Sequence, residues 1–466
     1  MERLFRRKRN PERVPPNPEL DVVLTIESNG KCETAEDLVN GSHLLEYHKA
    51  FFDMGFFLLI VPFRLVRVKK NGRTIYAVQT HRCQKILCAI VQALIAYEYL
   101  SSIRQRLVSF SDIDGAAISY LNVATVFASF LYVLVFIYAF WMHAGLFKIM
   151  FETLQNLEFA KCTKQWCRFK IRVVSIGFCC FSTLVALTDP IIHDGLFTKK
   201  TFSGFLAHAA CRASSYYLFH NCSTESDVGV ALLENNRTIL ENLATTIHLL
   251  IYIPNLIMVH TVDAVVVLTA LCMWHALTYF ISYSKQDTVS AEEALLHYED
   301  LKGLVKNMNA AVGILTFSAI AISLPFYASW GAIVFNNSAE KVHVDWLYLA
   351  HVSAYFVNSF TILHFGADFN FKIGEFYSRI SAKEVCDKIS SNRLTSIVMD
   401  MHSNQISMRA CGFFVLTYRF FGTILSLIVT YSIIILQFQF SRQKFQSVNC
   451  TYLRSADFPF SQGTSP

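Results

Sequence analysis

Hydrophobic residues gather in long runs along the chain, and short charged segments separate these runs. A membrane-spanning helix needs about 20 mostly apolar residues, because each residue adds about 1.5 Å along the axis. We predict spans at about 86–102, 117–147, 173–193, 254–283, 308–335, 345–365 and 410–440. The pattern therefore predicts an all-α membrane protein with seven transmembrane helices.

A further apolar stretch covers residues 48–66, ahead of these spans, and is interrupted by Asp53 and Pro62. The tail before it, residues 1–47, opens with a group of arginines, and a second basic group follows at 64–85. A spanning helix is usually positive on one side only. We therefore expect a re-entrant or interfacial segment here; an ordinary span with one misleading flank is the alternative.

Positive residues in alternate loops indicate the orientation. The loops 148–172, 284–307 and 369–409 are rich in lysine and arginine and are predicted to be cytoplasmic. This places the N-terminal tail inside, the long loop 194–250 outside, and the C-terminal tail, residues 441–466, outside.

Glycosylation sequons agree with this orientation, because they fall in predicted outer segments: Asn221, Asn236, Asn336 and Asn449. Cys211 and Cys222 share the loop 194–250, so they are candidates for a disulfide bond.

Composition supports a membrane protein. Hydrophobic residues make up 53% of the chain and charged residues only 16%, whereas soluble domains carry about 25% charged residues. The formal charge of +6 is explained by the loop cations, and we expect no nucleic-acid partner. The 13 cysteines have no metal-ligand spacing, and nucleotide-binding or hydrolase motifs are absent. We therefore expect neither an enzyme nor a bound metal or cofactor.

A polar stripe runs along the last span. Ser426, Thr430 and Gln437 recur with Ile433 at steps of 4, 3 and 4 residues, so they share one helix face. Polar side chains in a bilayer must face protein or water. Either they hydrogen-bond neighbouring helices, or several copies of the helix enclose a water-filled path.

The end of this span resembles the signature of insect gustatory receptors. Thr430-Tyr431, five uncharged residues and Gln437-Phe438 match that family's motif, and 413–419 is similar to the approach to it in sugar-type members. Here Tyr418 stands between Leu-Thr and Arg419, where sugar-type members have arginine directly. The chain also departs from the family in the long tail after the motif.

The resemblance implies a ligand-gated, nonselective cation channel in the plasma membrane of sensory neurons. It implies a homo- or heterotetramer of related subunits, embedded in the lipid bilayer, that opens on a small-molecule tastant, for which we expect a sugar. Residues 411–440 would line the pore, 284–410 would contain the cytoplasmic anchor, and 86–283 would contain the ligand-binding region. The implied pore and gate residues are Ser426, Thr430, Ile433, Gln437 and Phe438, with Tyr431 as a packing residue.

Binding a sugar needs carboxylates or amides for the hydroxyl groups and aromatic faces for the C–H groups. Ionisable and polar groups inside spans are functional candidates, and these lie in the outer or middle parts of the predicted spans: Glu98, Asp189, His260, Asp263, Trp330, Tyr355 and Asn358. Helix-packing pairs are the alternative role for each.

Other functions stay open from the sequence. A receptor for bitter or other small molecules would share the same architecture. A secondary transporter would show internal repeats, and none is visible. A G-protein-coupled receptor would have the opposite orientation, which the sequon at Asn449 opposes.

Overall fold

The computed structural model describes residues 43–70, 73–109, 116–157, 159–160, 165–193, 202–219, 238–286, 289, 291–339, 346–380, 399, 406–434 and 437. Its helices are α1 Glu46–Phe57, α2 Arg82–Ser109, α3 Ala116–Met142, α4 Ala144–Asn156, α5 Gln165–His193, α6 Phe202–Tyr217, α7 Ile239–Ser284, α8 Ala291–Ala339, α9 Trp346–Ile380 and α10 Tyr418–Ile434. The strands are β1 Arg64–Lys70, β2 Arg73–Gln79, β3 Arg409–Ala410 and β4 Phe414–Val415.

Helix α7 is the centre of the fold. It begins with a capping box, in which the Thr238 hydroxyl accepts from the backbone N–H of Glu241 and the Glu241 carboxylate accepts from that of Thr238. It packs against α1, α5, α6, α8 and α9. The side chains along 262–273 are buried all around the helix, as expected for a helix enclosed by others.

Each predicted crossing overlaps a described helix. By length and composition, α2, α5, α7 and α8 can cross a membrane, and the bent pair α3–α4 would be a fifth crossing. The described chain is thus that of a mainly α-helical membrane protein. Seven crossings and their orientation stay predictions.

The predicted span 117–147 is divided in the structure. Helix α3 ends at Met142, and α4 leaves it at 66°. The bend brings Phe147 onto Phe140, with parallel rings 5.0 Å apart, and sets both against Phe52 and Phe63. The bend allows this aromatic cluster to form. The hydrophobic run alone predicts neither the bend nor the cluster.

Helix α1 is held deep in the bundle although it is short. Its 12 residues reach only about 18 Å, less than the hydrocarbon core. The His48 ring lies 3.1 Å from the Thr269 hydroxyl, and the Tyr47 hydroxyl lies 2.7 Å from the His275 ring, both on α7. A re-entrant or interfacial role for 48–66 stays a prediction.

A β-hairpin follows α1, which the all-α prediction lacked. Strands β1 and β2 pair antiparallel with Arg64 opposite Gln79 and Lys70 opposite Arg73. β-Branched residues in both strands favour this arrangement. The tail 1–42 and the predicted outer tail 441–466 lie outside the described residues.

Candidate functional site

The packing face and the polar stripe lie on opposite sides of α10. Ile424 and Ser432 are buried against the rest of the subunit, and Ile428 is half-buried. At about 100° per residue, Ser426 and Thr430 lie roughly opposite this face. Both are exposed in the single subunit.

Hydrogen bonding also distinguishes Ser432 from the two hydroxyl residues of the stripe. The Ser432 hydroxyl donates to the Ile428 carbonyl one turn earlier at 2.8 Å. The hydroxyls of Ser426 and Thr430 have no hydrogen-bond partner in the described part of the chain. The stripe therefore presents polar groups to whatever surrounds the subunit.

The remaining predicted motif residues are partly described. Ile433 and Gln437 are exposed, and Gln437 makes an interaction within the chain. Tyr431 is 51% exposed, so its own subunit covers only about half of the side chain. Phe438 lies outside the described residues.

The start of α10 is docked on two helices through a small hairpin. Strands β3 and β4 pair Arg409 with Val415. The Asn370 amide of α9 donates to the Leu416 carbonyl, and its oxygen accepts from the Met408 N–H at 3.3 Å. Asn309 of α8 makes the same double contact, donating to the Ser407 carbonyl at 2.8 Å and accepting from the Arg409 N–H at 3.0 Å.

These asparagine contacts satisfy backbone groups that have no helix partner, so they fix the direction in which α10 leaves the hairpin. The Thr417 hydroxyl then caps α10 by accepting from the Phe420 N–H at 3.1 Å. Sequence reasoning did not single out Asn309, Asn370 or Thr417.

A charged cluster joins α7, α9 and α10 next to this hairpin. Asp368 accepts from the Trp274 indole N–H at 2.5 Å and from the Lys372 ammonium at 3.1 Å. Lys372 also lies 4.1 Å from the centre of the Trp274 ring, a cation–π contact. The Tyr418 hydroxyl, in the first turn of α10, lies 3.5 Å from the same carboxylate.

Among the predicted ligand residues, Glu98 belongs to a buried polar cluster. Its carboxylate accepts from the Tyr217 hydroxyl at 2.9 Å and lies 2.6 Å from His248 Nδ1. Tyr97 stacks on Tyr217, and Tyr252 lies beside His248. This cluster joins α2, α6 and α7 and combines a carboxylate with several aromatic faces.

Asp263 lies in a different place. It accepts from the Tyr132 hydroxyl of α3 at 2.5 Å, and both groups are buried. His260, also buried, is nearly one turn away on α7. Because 15 residues separate His248 from Asp263, the two sites lie about 22 Å apart along α7. The structure therefore does not bring Glu98 and Asp263 into one pocket.

The other predicted site residues are described only in part. Asn358 is buried, and its side-chain oxygen has no hydrogen-bond partner in the described part of the chain. The side chains of three others are outside the description, although their backbones lie in α5, α8 and α9: Asp189, Trp330 and Tyr355.

The predicted modification sites are mostly untested by the structure. Cys211 is buried and disulfide-bonded, whereas Cys222 lies outside the described residues, so their pairing stays a prediction. Asn336 lies in the last turns of α8. The other sequons are outside the description: Asn221, Asn236 and Asn449. Within the described ranges, no group of three or more His, Cys, Asp or Glu side chains is placed to hold a metal.

Comparison with known proteins gives one family. The sequence model of the 7tm chemosensory receptors matches residues 191–442, more than half of the chain. Among solved structures, the fold is similar to that of the olfactory receptor OR5 from the insect Machilis hrabei, which was determined in complex with eugenol. That match has 14% identity and a TM-score of 0.48, and covers 84% of this chain and 99% of that one. No curated protein matches the sequence.

Proposed function

The chain belongs to the 7tm chemosensory receptor family, and from that premise we propose that it forms a ligand-gated, nonselective cation channel around several copies of α10. A channel of this kind performs no covalent chemistry. The supporting observation is that the polar stripe of α10 faces away from the subunit that carries it.

The argument rests on what a bilayer offers to polar groups. Lipid leaves the hydroxyls of Ser426 and Thr430 without partners, which is costly in hydrocarbon. One subunit cannot cover them, because its own packing face lies on the opposite side of α10. Copies of α10 arranged around an axis would direct every stripe to a shared water-filled path. Four copies, identical or from related subunits, are the proposed assembly.

Along such a path the side chains have separate roles. Serine and threonine hydroxyls would replace part of a cation's hydration shell, and a ring of Gln437 amides would offer further dipoles. Ile433, which is 48% exposed on the same face, would close the path by dewetting. Phe438 is proposed as a second gate residue from the motif alone.

Substituted-cysteine accessibility tests this arrangement. The chain would be expressed in cells that lack related receptors, and ligand-evoked whole-cell current would be recorded before and after a charged, membrane-impermeant thiol reagent. We expect block in Ser426→Cys and Thr430→Cys, and none in Ser432→Cys, whose position is on the packing face, or in the unmodified chain. Block at 432 without block at 430 would contradict the proposed pore face.

The ligand is proposed to be a small tastant, with a sugar as the first candidate, in the plasma membrane of sensory neurons. The Glu98 cluster supports this choice, because it places a carboxylate beside tyrosine rings, the groups that grip sugar hydroxyls and C–H faces. Glu98→Gln should raise the sugar concentration for half-maximal current at least about tenfold, if one charge-assisted hydrogen bond is lost.

Bitter or other tastants and secondary transport are the alternatives. A panel of sugars and bitter compounds separates the ligand classes. A current that persists without any gradient of a coupled substrate excludes transport.

Labelling of epitopes at both termini in intact cells tests the proposed seven-span orientation. We expect only the C-terminal epitope to be accessible.

A further inference from the structure

An open cavity of about 580 Å³ lies where α1, β1 and α5 meet, and its lining includes none of the proposed pore and ligand residues. Both ionic and apolar side chains line it. Its charged residues are Glu46, Lys49, Asp53, Arg64 and Arg172. The apolar part of α5 begins at Phe169, so the cavity lies near one end of a membrane-crossing helix.

Four of these charges are balanced within the protein. Arg172 contacts Glu46 at 3.2 Å, and Lys49 contacts Asp53 at 2.5 Å. The first pair ties α1 to α5, and the second lies along one turn of α1 itself.

Arg64 is different, because its contacts are neutral. Its Nε and Nη2 atoms donate to the Gln79 side-chain oxygen at 3.2 and 3.1 Å, and its guanidinium carbon lies 5.3 Å from the centre of the Phe56 ring. In the part of the chain that the structure describes, no carboxylate pairs with Arg64. The cavity therefore contains one positive charge, that of Arg64, which has a fixed orientation and no carboxylate partner among the described residues.

The mouth of the cavity is apolar. Phe57 is 79% exposed and Ile176 is 45% exposed, although both line the cavity. Ile176 lies on an exposed, mainly apolar face of α5 that begins with Phe169 and Val173 and continues through Cys180, Leu184 and Leu187. The part of this face from Ile176 to Leu187 is about 16 Å long. It gives acyl chains an apolar surface that starts at the cavity.

We propose that this cavity binds a glycerophospholipid, with its phosphate on the Arg64 guanidinium and its acyl chains along the α5 stripe. The single unbalanced charge of Arg64 matches the single negative charge of a phosphate diester.

Native mass spectrometry of the full chain in detergent tests the site. Delipidated protein would be titrated with phosphatidylglycerol. We expect Arg64→Gln to weaken binding roughly tenfold, because a charge-assisted contact is lost, and Arg64→Lys to restore part of it. The matched control is Lys170→Gln: Lys170 is an exposed cation at the same end of α5 and does not line the cavity. Equal binding by Arg64→Gln and the unmodified chain would overturn the proposal.

A second measurement on the unmodified chain does not depend on how the variants fold. Phosphatidylglycerol with a photoreactive group in its acyl chain should label the peptide that contains Ile176–Leu187 above other apolar peptides. Excess glycerol phosphate should compete poorly. Efficient competition by glycerol phosphate would make the site one for a soluble phosphate, and evenly distributed labelling would leave only nonspecific annular lipid; either result refutes a dedicated lipid site.

Discussion

Gly366 on α9 allows the start of α10 to dock closely, and this contact yields a quantitative prediction. A Cβ atom added at Gly366 would lie 2.6 Å from Cδ1 and 2.8 Å from Cβ of Leu416, which is fully buried. Rotating the leucine side chain can relieve only the first of these contacts. Gly366→Ala must therefore move the backbone that leads into α10.

Gly374 on the same helix provides the control, because nothing lies within 4 Å of a Cβ added there. Both alanine variants gain up to about 1 kcal/mol of helix propensity. Only Gly366→Ala incurs the overpacking cost, which is about 1–3 kcal/mol. The difference in unfolding free energy between the two variants should thus be about 1–3 kcal/mol, with Gly366→Ala less stable.

The assay is thermal unfolding of the purified chain in detergent, followed by tryptophan fluorescence. Gly366→Ala should melt below the unmodified chain, and Gly374→Ala at or slightly above it. In a Leu416→Ala background, the Cγ and Cδ1 contacts are gone but the Cβ contact remains, so Gly366→Ala should keep at least part of its cost. Equal melting of the two glycine variants would refute the docking argument.

Three further predictions use the same melting assay. Asn370→Ala should cost about 1–3 kcal/mol, because it removes the amide that pairs with the Leu416 carbonyl, and Asn370→Asp should be intermediate, because it keeps an acceptor. Glu98→Ala should destabilise more than Glu98→Gln, since glutamine still accepts from Tyr217; the reverse order would contradict a structural role. Cys211→Ser should lower stability by about 2–5 kcal/mol under oxidising conditions, and a reductant should remove the difference from the unmodified chain.

The sequence predicted the helices because run length and hydrophobicity are properties of one segment. The β-hairpin had a local signal too, since Asn71-Gly72, a typical hairpin connection, stands between two segments that contain β-branched residues. The cations of β1 and β2 were interpreted only as flanking charge for topology. That interpretation concealed the alternation of Val66 and Val68 with Arg67 and Lys69.

Two of the predicted ligand residues, Glu98 and Asp263, lie in separate clusters for a geometric reason. Glu98 and Asp263 were grouped because both were assigned to the outer halves of their spans. A similar depth in the membrane does not mean that two side chains lie close together. Their actual partners, His248 and Tyr132, are 150 and 131 residues away in sequence, respectively. A single sequence contains no information that pairs residues so far apart.

Helix α10 has one feature that the sequence predicted and one that it could not predict. Its stripe was predictable from the spacing of Ser426 and Thr430, since a helix face is set by period alone. That the opposite face packs on the subunit could not be predicted, because Ile424 and its exposed neighbours are equally apolar in sequence. The same holds for Asp368, which gains its role only where Trp274 and Tyr418 reach it from other helices. The pattern identifies the polar face, and only the three-dimensional contacts show that this face is left exposed by its own subunit.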